Sequence, residues 1–172
     1  MYTRKAILPD AESIRGLIAD LSADGTLLPR SLAEICENIR DFTVVAEDDD
    51  LLGCGALHLY GTHLAEIRSI AVWPASKGLG AGRLLMDGLF AEAERHSVHC
   101  ICLFTRIPEF FGRLGFTVAD KQDLPDKLLK DCLRCPKLEC CDETTMIRGP
   151  LPGFAILDAD EPDAHKLVRI TG

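Results

Sequence analysis

Along most of this chain, short apolar runs of β type alternate with stretches whose apolar residues recur every three or four positions, the spacing of a helix with one buried face. The pattern predicts a strand over residues 2–7, then a helix opened by Pro9 and Asp10 and running to Leu21. Ser31, with Glu34 three residues on, has the form of a capping box and starts a second helix that ends near Arg40. Two β-rich runs, 42–47 and 51–60, are split by Asp48, Asp49 and Asp50 and read as a hairpin. A strand over 66–73, a glycine-rich turn and a helix to about His96 follow, and then a buried strand over 98–104. Residues 108–114 read as a short helix stopped by Gly115, 116–119 as a strand, and 144–148 as the last strand. An insert at about 123–143 separates those two strands. The expected domain therefore spans 1–148, and residues 149–172, rich in Pro and Asp, read as a tail or peripheral element.

The strand, turn and helix around residue 78 carry the clearest chemical signal. Ser69-Ile70-Ala71-Val72-Trp73-Pro74 leads directly into Lys77-Gly78-Leu79-Gly80-Ala81-Gly82-Arg83 and an apolar-periodic helix. Glycines let a backbone turn tightly against a ligand, while the unpaired N–H groups and dipole of a helix N-terminus attract negative charge. A phosphate-bearing guest is expected there. The Walker loop is excluded because no Gly-Lys-Ser/Thr triplet exists, and the dinucleotide fingerprint is excluded because Gly78, Gly80 and Gly82 alternate after a mid-chain strand.

Composition narrows the partners. With 172 residues and 47% hydrophobic content the chain suits one domain with a full core, and no apolar run approaches a membrane span. No signal-like stretch follows the N-terminus, so a cytoplasmic protein is expected. A formal charge of -8 argues against nucleic acid. A polyanionic ligand must then be held locally, by the glycine-loop amides with Lys77 and Arg83.

Eight cysteines in such a chain are expected as reduced thiols. Cys36, Cys54, Cys100 and Cys102 lie in apolar surroundings and read as packing residues. Cys132, Cys135, Cys140 and Cys141 have the look of a metal knuckle, yet two adjacent cysteines do not easily reach one tetrahedral ion. Metal cluster and packed thiols both stand as readings.

The glycine turn resembles the acetyl-CoA signature of the GNAT acetyltransferases, Arg/Gln-x-x-Gly-x-Gly/Ala, with Lys77 in the place of the usual Arg or Gln. Phe110-Phe111-Gly112-Arg113-Leu114-Gly115-Phe116 is similar to the family's helix ending after the fifth strand, and Ile70-Ala71-Val72-x-Pro74 to its strand before the loop. The resemblance covers most of residues 3–148. It implies an α/β (α+β) GNAT fold: a central, mixed, mostly antiparallel twisted sheet of six to seven strands, flanked by helices and splayed at the acetyl-CoA site. Within that superfamily, 25–31, 42–47, 53–57 and 66–72 look most like the acetyltransferase module of the bacterial N-acetylglutamate synthases. That likeness implies transfer of acetyl from acetyl-CoA to the α-amino group of L-glutamate, in arginine biosynthesis. The kinase-like domain that precedes the module in long synthases has no counterpart in this sequence, so a short stand-alone form is expected. GNAT proteins are often dimers, which makes a homodimer an expectation by analogy.

Chemistry follows from the reaction. A protonated amine cannot attack a thioester, so a base must take its proton directly or through water. Glu66 is the candidate, since it resembles the strand glutamate serving as base in the histone acetyltransferase branch. A regular strand would put Glu66, Arg68, Ile70 and Val72 on one face. The resemblance further implies that backbone groups of Ile70, Ala71 and Val72 hold the pantetheine arm, with the N–H of Ile70 or Val72 at the developing oxyanion. A tyrosine often protonates the departing thiolate, but Phe111 stands at that position. Thr105, water or an unaided thiolate are the alternatives. A dicarboxylic acceptor needs cations, and arginine's planar fork suits carboxylates. Arg30 and Arg68 are the substrate-binding candidates, with Arg106 behind them; glutamate and glutamine are not separated by these residues. Acetylation of another small amine or a protein lysine, and a non-catalytic acyl-CoA-binding module, are the competing functions.

Overall fold

A computed structural model describes residues 1–23, 25, 27–48, 50–135 and 138–151. The expected tail lies outside the described residues beyond Leu151. The chain forms β1 (Tyr2–Lys5), α1 (Ala11–Ala23), α2 (Leu32–Glu37), β2 (Phe42–Glu47), β3 (Asp50–Leu59), β4 (Ala65–Val72) and α3 (Ala81–Arg95). It continues through β5 (Ile101–Thr105), α4 (Pro108–Gly112), β6 (Thr117–Val118), α5 (Pro125–Lys130) and β7 (Thr144–Arg148). The seven strands make one sheet of order β1-β2-β3-β4-β5-β7-β6. Every neighbouring pair is antiparallel except β4 and β5, which run parallel.

Each face of the sheet is covered by helices whose apolar stripe was encoded locally. Ile14, Leu17 and Ile18 of α1 are fully buried with Ile35, Val44 and Cys54 on one side. Leu85, Met86 and Leu89 of α3 pack with Val45, Leu57 and Ile67 on the other. Adjacent Val44 and Val45 serve opposite cores, as a pleated strand requires. The predicted capping box is present: Ser31 Oγ accepts from the Glu34 amide at 3.2 Å, and the Ser31 amide donates to Glu34 Oε2 at 2.8 Å.

Two irregularities in β4 create the site. Its pairing with β5 is limited to Ala65 opposite Ile101 and Glu66 opposite Cys102, after which the strands part. Meanwhile β5 keeps β7 as its partner through Thr105, so the cleft opens on the β4 side. The second irregularity is a bulge: Arg68 pairs with Ala56 and Ala71 with Cys54, three steps on β4 against two on β3. Ser69 takes up the extra residue with φ 54, left-handed backbone that a non-glycine residue rarely adopts.

That bulge corrects the expected face. Glu66 and Arg68 do lie on one side of the strand, but Ile70 and Val72 pack with Ile67 against the α3 core. The regular period of two fails at Ser69, and everything after it is turned over. The room for this comes from β3, where a Cβ on Gly55 would stand 3.1 Å from Leu89 and 3.7 Å from Ile70.

Candidate active site

The glycine turn is a cradle of free donors. Gly78 and Gly80 have φ 82 and φ 90, and a Cβ at either would meet no atom within 4 Å. Glycine is thus demanded by backbone conformation, not by internal crowding. Gly80 is the N-cap of α3, and the first bond of that helix runs from the Leu84 amide to the Gly80 carbonyl at 2.9 Å. Among the described residues, the amides of Gly78, Gly80, Ala81, Gly82 and Arg83 donate to no backbone carbonyl. A row of unpaired N–H groups at the start of a helix fits a pyrophosphate. Lys77 is exposed beside it, whereas Arg83 is engaged by Asp87 at 3.0 Å in a solvent-screened pair. Gly82 sits closer to the protein, with its Cβ direction 3.8 Å from Phe110 and 3.9 Å from Val72.

Replacing Gly80 with Val should raise the dissociation constant for coenzyme A about tenfold or more, since Val resists positive φ and fills the cradle; tenfold is about 1.4 kcal/mol. Titration calorimetry of the folded variant checks this. Wild-type affinity would remove the cradle from the cofactor site.

A cavity of about 520 Å³ lies where β4 and β5 part, lined by Glu66 to Ser69 and by Phe104. Arg30, from the segment before α2, and Glu66 and Arg68, from β4, all line it, as does Ser69 at the bulge. The structure therefore brings together the three side chains that the sequence singled out. Arg30 has no ion-pair partner among the described residues, and the carboxylate nearest Arg68 is Asp131 at 3.7 Å, beyond hydrogen-bond reach. Arg106 is elsewhere, tying the Gly25 carbonyl to Asp142, at 2.8 Å from the latter.

Glu66 is buried, with 4% of its side chain exposed, and it is not paired with Arg68. Lys127 of α5 places its ammonium 2.8 Å from Oε1 and 3.0 Å from Oε2, and the Tyr60 hydroxyl lies 3.0 Å from Oε2. Both groups also reach Asp131 Oδ2, at 3.0 Å and 3.1 Å. Burial pulls the Lys127 ammonium down, but the two carboxylates outweigh it and hold the group above its ordinary range. Burial also opposes ionisation of Asp131, and Lys127 reverses that, leaving the carboxyl below its usual range. Tyr60 is driven upward by burial and by the same two carboxylates, so it stays a phenol. Sequence reasoning missed Lys127, Tyr60 and Asp131. The signal available was local: Pro125 opens a helix on which Lys127 and Asp131 stand one turn apart.

The cysteines do not divide along the expected line: Cys132 is buried like Cys54, Cys100 and Cys102, while Cys36 is half-buried. Cys54, Cys100 and Cys102 are buried, and burial pushes the Cys54 thiol up to about 12. Cys132, Cys135 and Cys141 line the same cavity as Glu66. All eight are free thiols, and among the described residues no group of three or more His, Cys, Asp or Glu is placed to hold a metal ion. Phe111 is buried against Phe116 in the α3 core. Thr105 Oγ1 accepts from the Ile107 amide at 3.0 Å.

This combination of splayed sheet, glycine cradle and adjoining polar cavity defines an acetyl-CoA-dependent N-acetyltransferase, and the chain belongs to the GNAT acetyltransferases. The model of the acetyltransferase (GNAT) domain matches residues 38–118. An uncharacterized N-acetyltransferase of Chlorobaculum tepidum is 37% identical over 145 residues, covering 84% of this chain and 94% of that protein. The amino-acid acetyltransferase of Mycobacterium tuberculosis is 38% identical over 118 residues, 66% of this chain and 67% of that one. A solved structure of N-acetylglutamate synthase from Neisseria gonorrhoeae, complexed with coenzyme A and N-acetyl-glutamate, superposes with a TM-score of 0.78 at 26% identity. That match covers 86% of this chain but only 34% of the synthase. No helix among the described residues is long and apolar enough to cross a membrane.

Proposed function

We propose that this chain acetylates the α-amino group of L-glutamate, the N-acetylglutamate synthase reaction at the head of arginine synthesis. The observation that carries the reading is the convergence of Arg30 and Arg68 on the cavity beside Glu66, where β4 parts from β5. A dicarboxylic amino acid offers two carboxylates to two guanidinium groups while its amine remains free for chemistry. The names of the relatives point the same way.

Bound acetyl-CoA supplies an acetyl thioester. The amides of Gly78 to Arg83 and the Lys77 ammonium would hold its phosphates, and backbone groups of Ile70, Ala71 and Val72, freed by the splay, would hold its arm. Arg30 and Arg68 orient the acceptor. Glu66 takes the proton from the amine through a water of the cavity; Lys127 and Tyr60 leave lone-pair capacity on Oε1 for that purpose. Holding both reactants at once supplies much of the acceleration without a covalent enzyme intermediate.

The test is acetyl-CoA turnover with each standard amino acid as acceptor. Glutamate should give the highest kcat/KM. A preference for amines lacking a second carboxylate would leave a general GNAT acetyltransferase, and tight coenzyme A binding without any turnover would leave a sensor.

A further inference from the structure

The insert that carries the cysteines also carries α5, and α5 reaches the reaction centre. Glu66 lies deep in the cavity wall, and a buried carboxylate without a counter-charge drifts toward its neutral acid, which cannot accept a proton. Its own strand offers no direct remedy, because Arg68 points toward Asp131. The groups facing it from the other elements are few. Tyr60 follows β3; His58, paired with Glu66 across the strands, has Nδ1 at 3.1 Å from Asp41 and Nε2 toward Lys130 at 3.4 Å. Cys102 faces it from β5 and Cys132 from beyond α5, and burial keeps both thiols neutral. Among the described residues, Lys127 is the cation in direct contact with the Glu66 carboxylate.

Lys127 is itself fixed from three directions. Asp131 accepts from it one turn along the chain, Glu66 accepts from it at Oε2 and lies in ion-pair contact through Oε1, and the Phe104 ring lies with its centroid 5.3 Å from Nζ. Tyr60 has one hydroxyl proton for two carboxylates, so it can satisfy only one of them at a time, and Lys127 must serve the other. Two carboxylates, Lys127 and the nearby Arg68 make a charge-balanced set under the acceptor cavity.

We propose that Lys127 is a positioning residue for the proton acceptor: its ammonium, hydrogen-bonded to Oε2 and in ion-pair contact with Oε1, supplies the counter-charge of Glu66 and fixes the carboxylate, while Asp131 and Tyr60 hold the set in register. The proposal rests on Glu66 as the base. It gives the insert a part in the reaction, since α5 has no other charged group on Glu66.

The sign of the effect follows from burial. Removing the counter-charge from a buried carboxylate favours its neutral acid, so the loss of activity should be largest at low pH. The experiment is the pH dependence of kcat in wild type, Glu66→Gln, Lys127→Met and Lys127→Arg, with KM for the amino acid and coenzyme A affinity measured alongside. Lys127→Met should move the acid limb of kcat upward by about one pH unit or more, a loss of about tenfold on that limb that recovers toward alkaline pH, while both affinities hold. Lys127→Arg should restore the limb in large part. Should Lys127→Met fail to fold, Lys127→Gln, a neutral donor of hydrogen bonds, reads the same limb. An unmoved limb in the neutral variants, or a loss of equal size at every pH, overturns the proposal. The base reading fails separately: Glu66→Gln would then keep the wild-type profile whatever the Lys127 variants do.

Discussion

Glu66→Gln should lower turnover by ~10² or more near neutral pH, with partial recovery under alkaline conditions. Gln keeps the shape of the side chain and can still accept from Tyr60, but it cannot take a proton from the amine. Recovery at high pH is expected because the amine then loses its proton to solvent and no longer needs the enzyme's base. The substitution also removes one partner of a buried ion pair, a change that can cost ~3–5 kcal/mol when it strands the other charge. Asp131 remains on Lys127 at 3.0 Å, so the stranding is incomplete and the variant should fold. A pH series of kcat with glutamate, run beside a coenzyme A titration as the control for folding, distinguishes loss of the base from loss of structure. Wild-type turnover across that series would move the role to water or another side chain.

What the sequence made readable was what short-range spacing encodes. The capping box needs only Ser31 and Glu34, and the cradle needs glycines at 78 and 80 before a helix; each is fixed within a few residues, and each is present. The mixed, mostly antiparallel sheet and its splay came through the family resemblance, while the strand order was not read at all, because no local pattern says that β7 enters between β5 and β6. The turned face of β4 was hidden for a specific reason. A serine in left-handed backbone leaves no compositional mark, and the hint lay on the neighbouring strand, where Gly53 and Gly55 make room for Val72 and Ile70. The pairing of Glu66 with Lys127 was hidden by distance: the two are 61 residues apart, and the partner sits in an insert whose clearest sequence feature is its cysteines. Element ends shifted for ordinary reasons. The fifth strand begins at Ile101, not near residue 98, after Ser97 turns the chain at φ 54 and the His99 amide bonds the Thr62 carbonyl at 2.9 Å.

Arg30→Ala and Arg68→Ala should each reduce kcat/KM for glutamate by about tenfold to a hundredfold while leaving coenzyme A affinity unchanged, the loss of one charge-assisted contact being worth ~1.5–3 kcal/mol. The two arginines are placed for different work. Arg68 is fixed on β4, largely buried, and held near Asp131 without bonding it, so its fork is available in a preset orientation. Arg30 precedes the capped start of α2, partly exposed, and its charge acts on Glu34 at the cavity rim. Lys at either position should rescue in part, since an ammonium restores charge without the planar two-point grip. Rescue should be poorer at position 68, where the short reach of a point charge must compete with Asp131 and with the neighbouring Lys127. The measurement is steady-state kinetics with glutamate and with its amide, glutamine, in the four single variants. If Arg30 and Arg68 read the two carboxylates, one Ala variant should lose its preference for glutamate over glutamine and the other should weaken both alike. The one that loses discrimination marks the side-chain carboxylate, and the other marks the α-carboxylate. Four variants with wild-type glutamate kinetics would detach the arginines from the acceptor, and with them the reason for choosing a dicarboxylic amino acid over any other small amine.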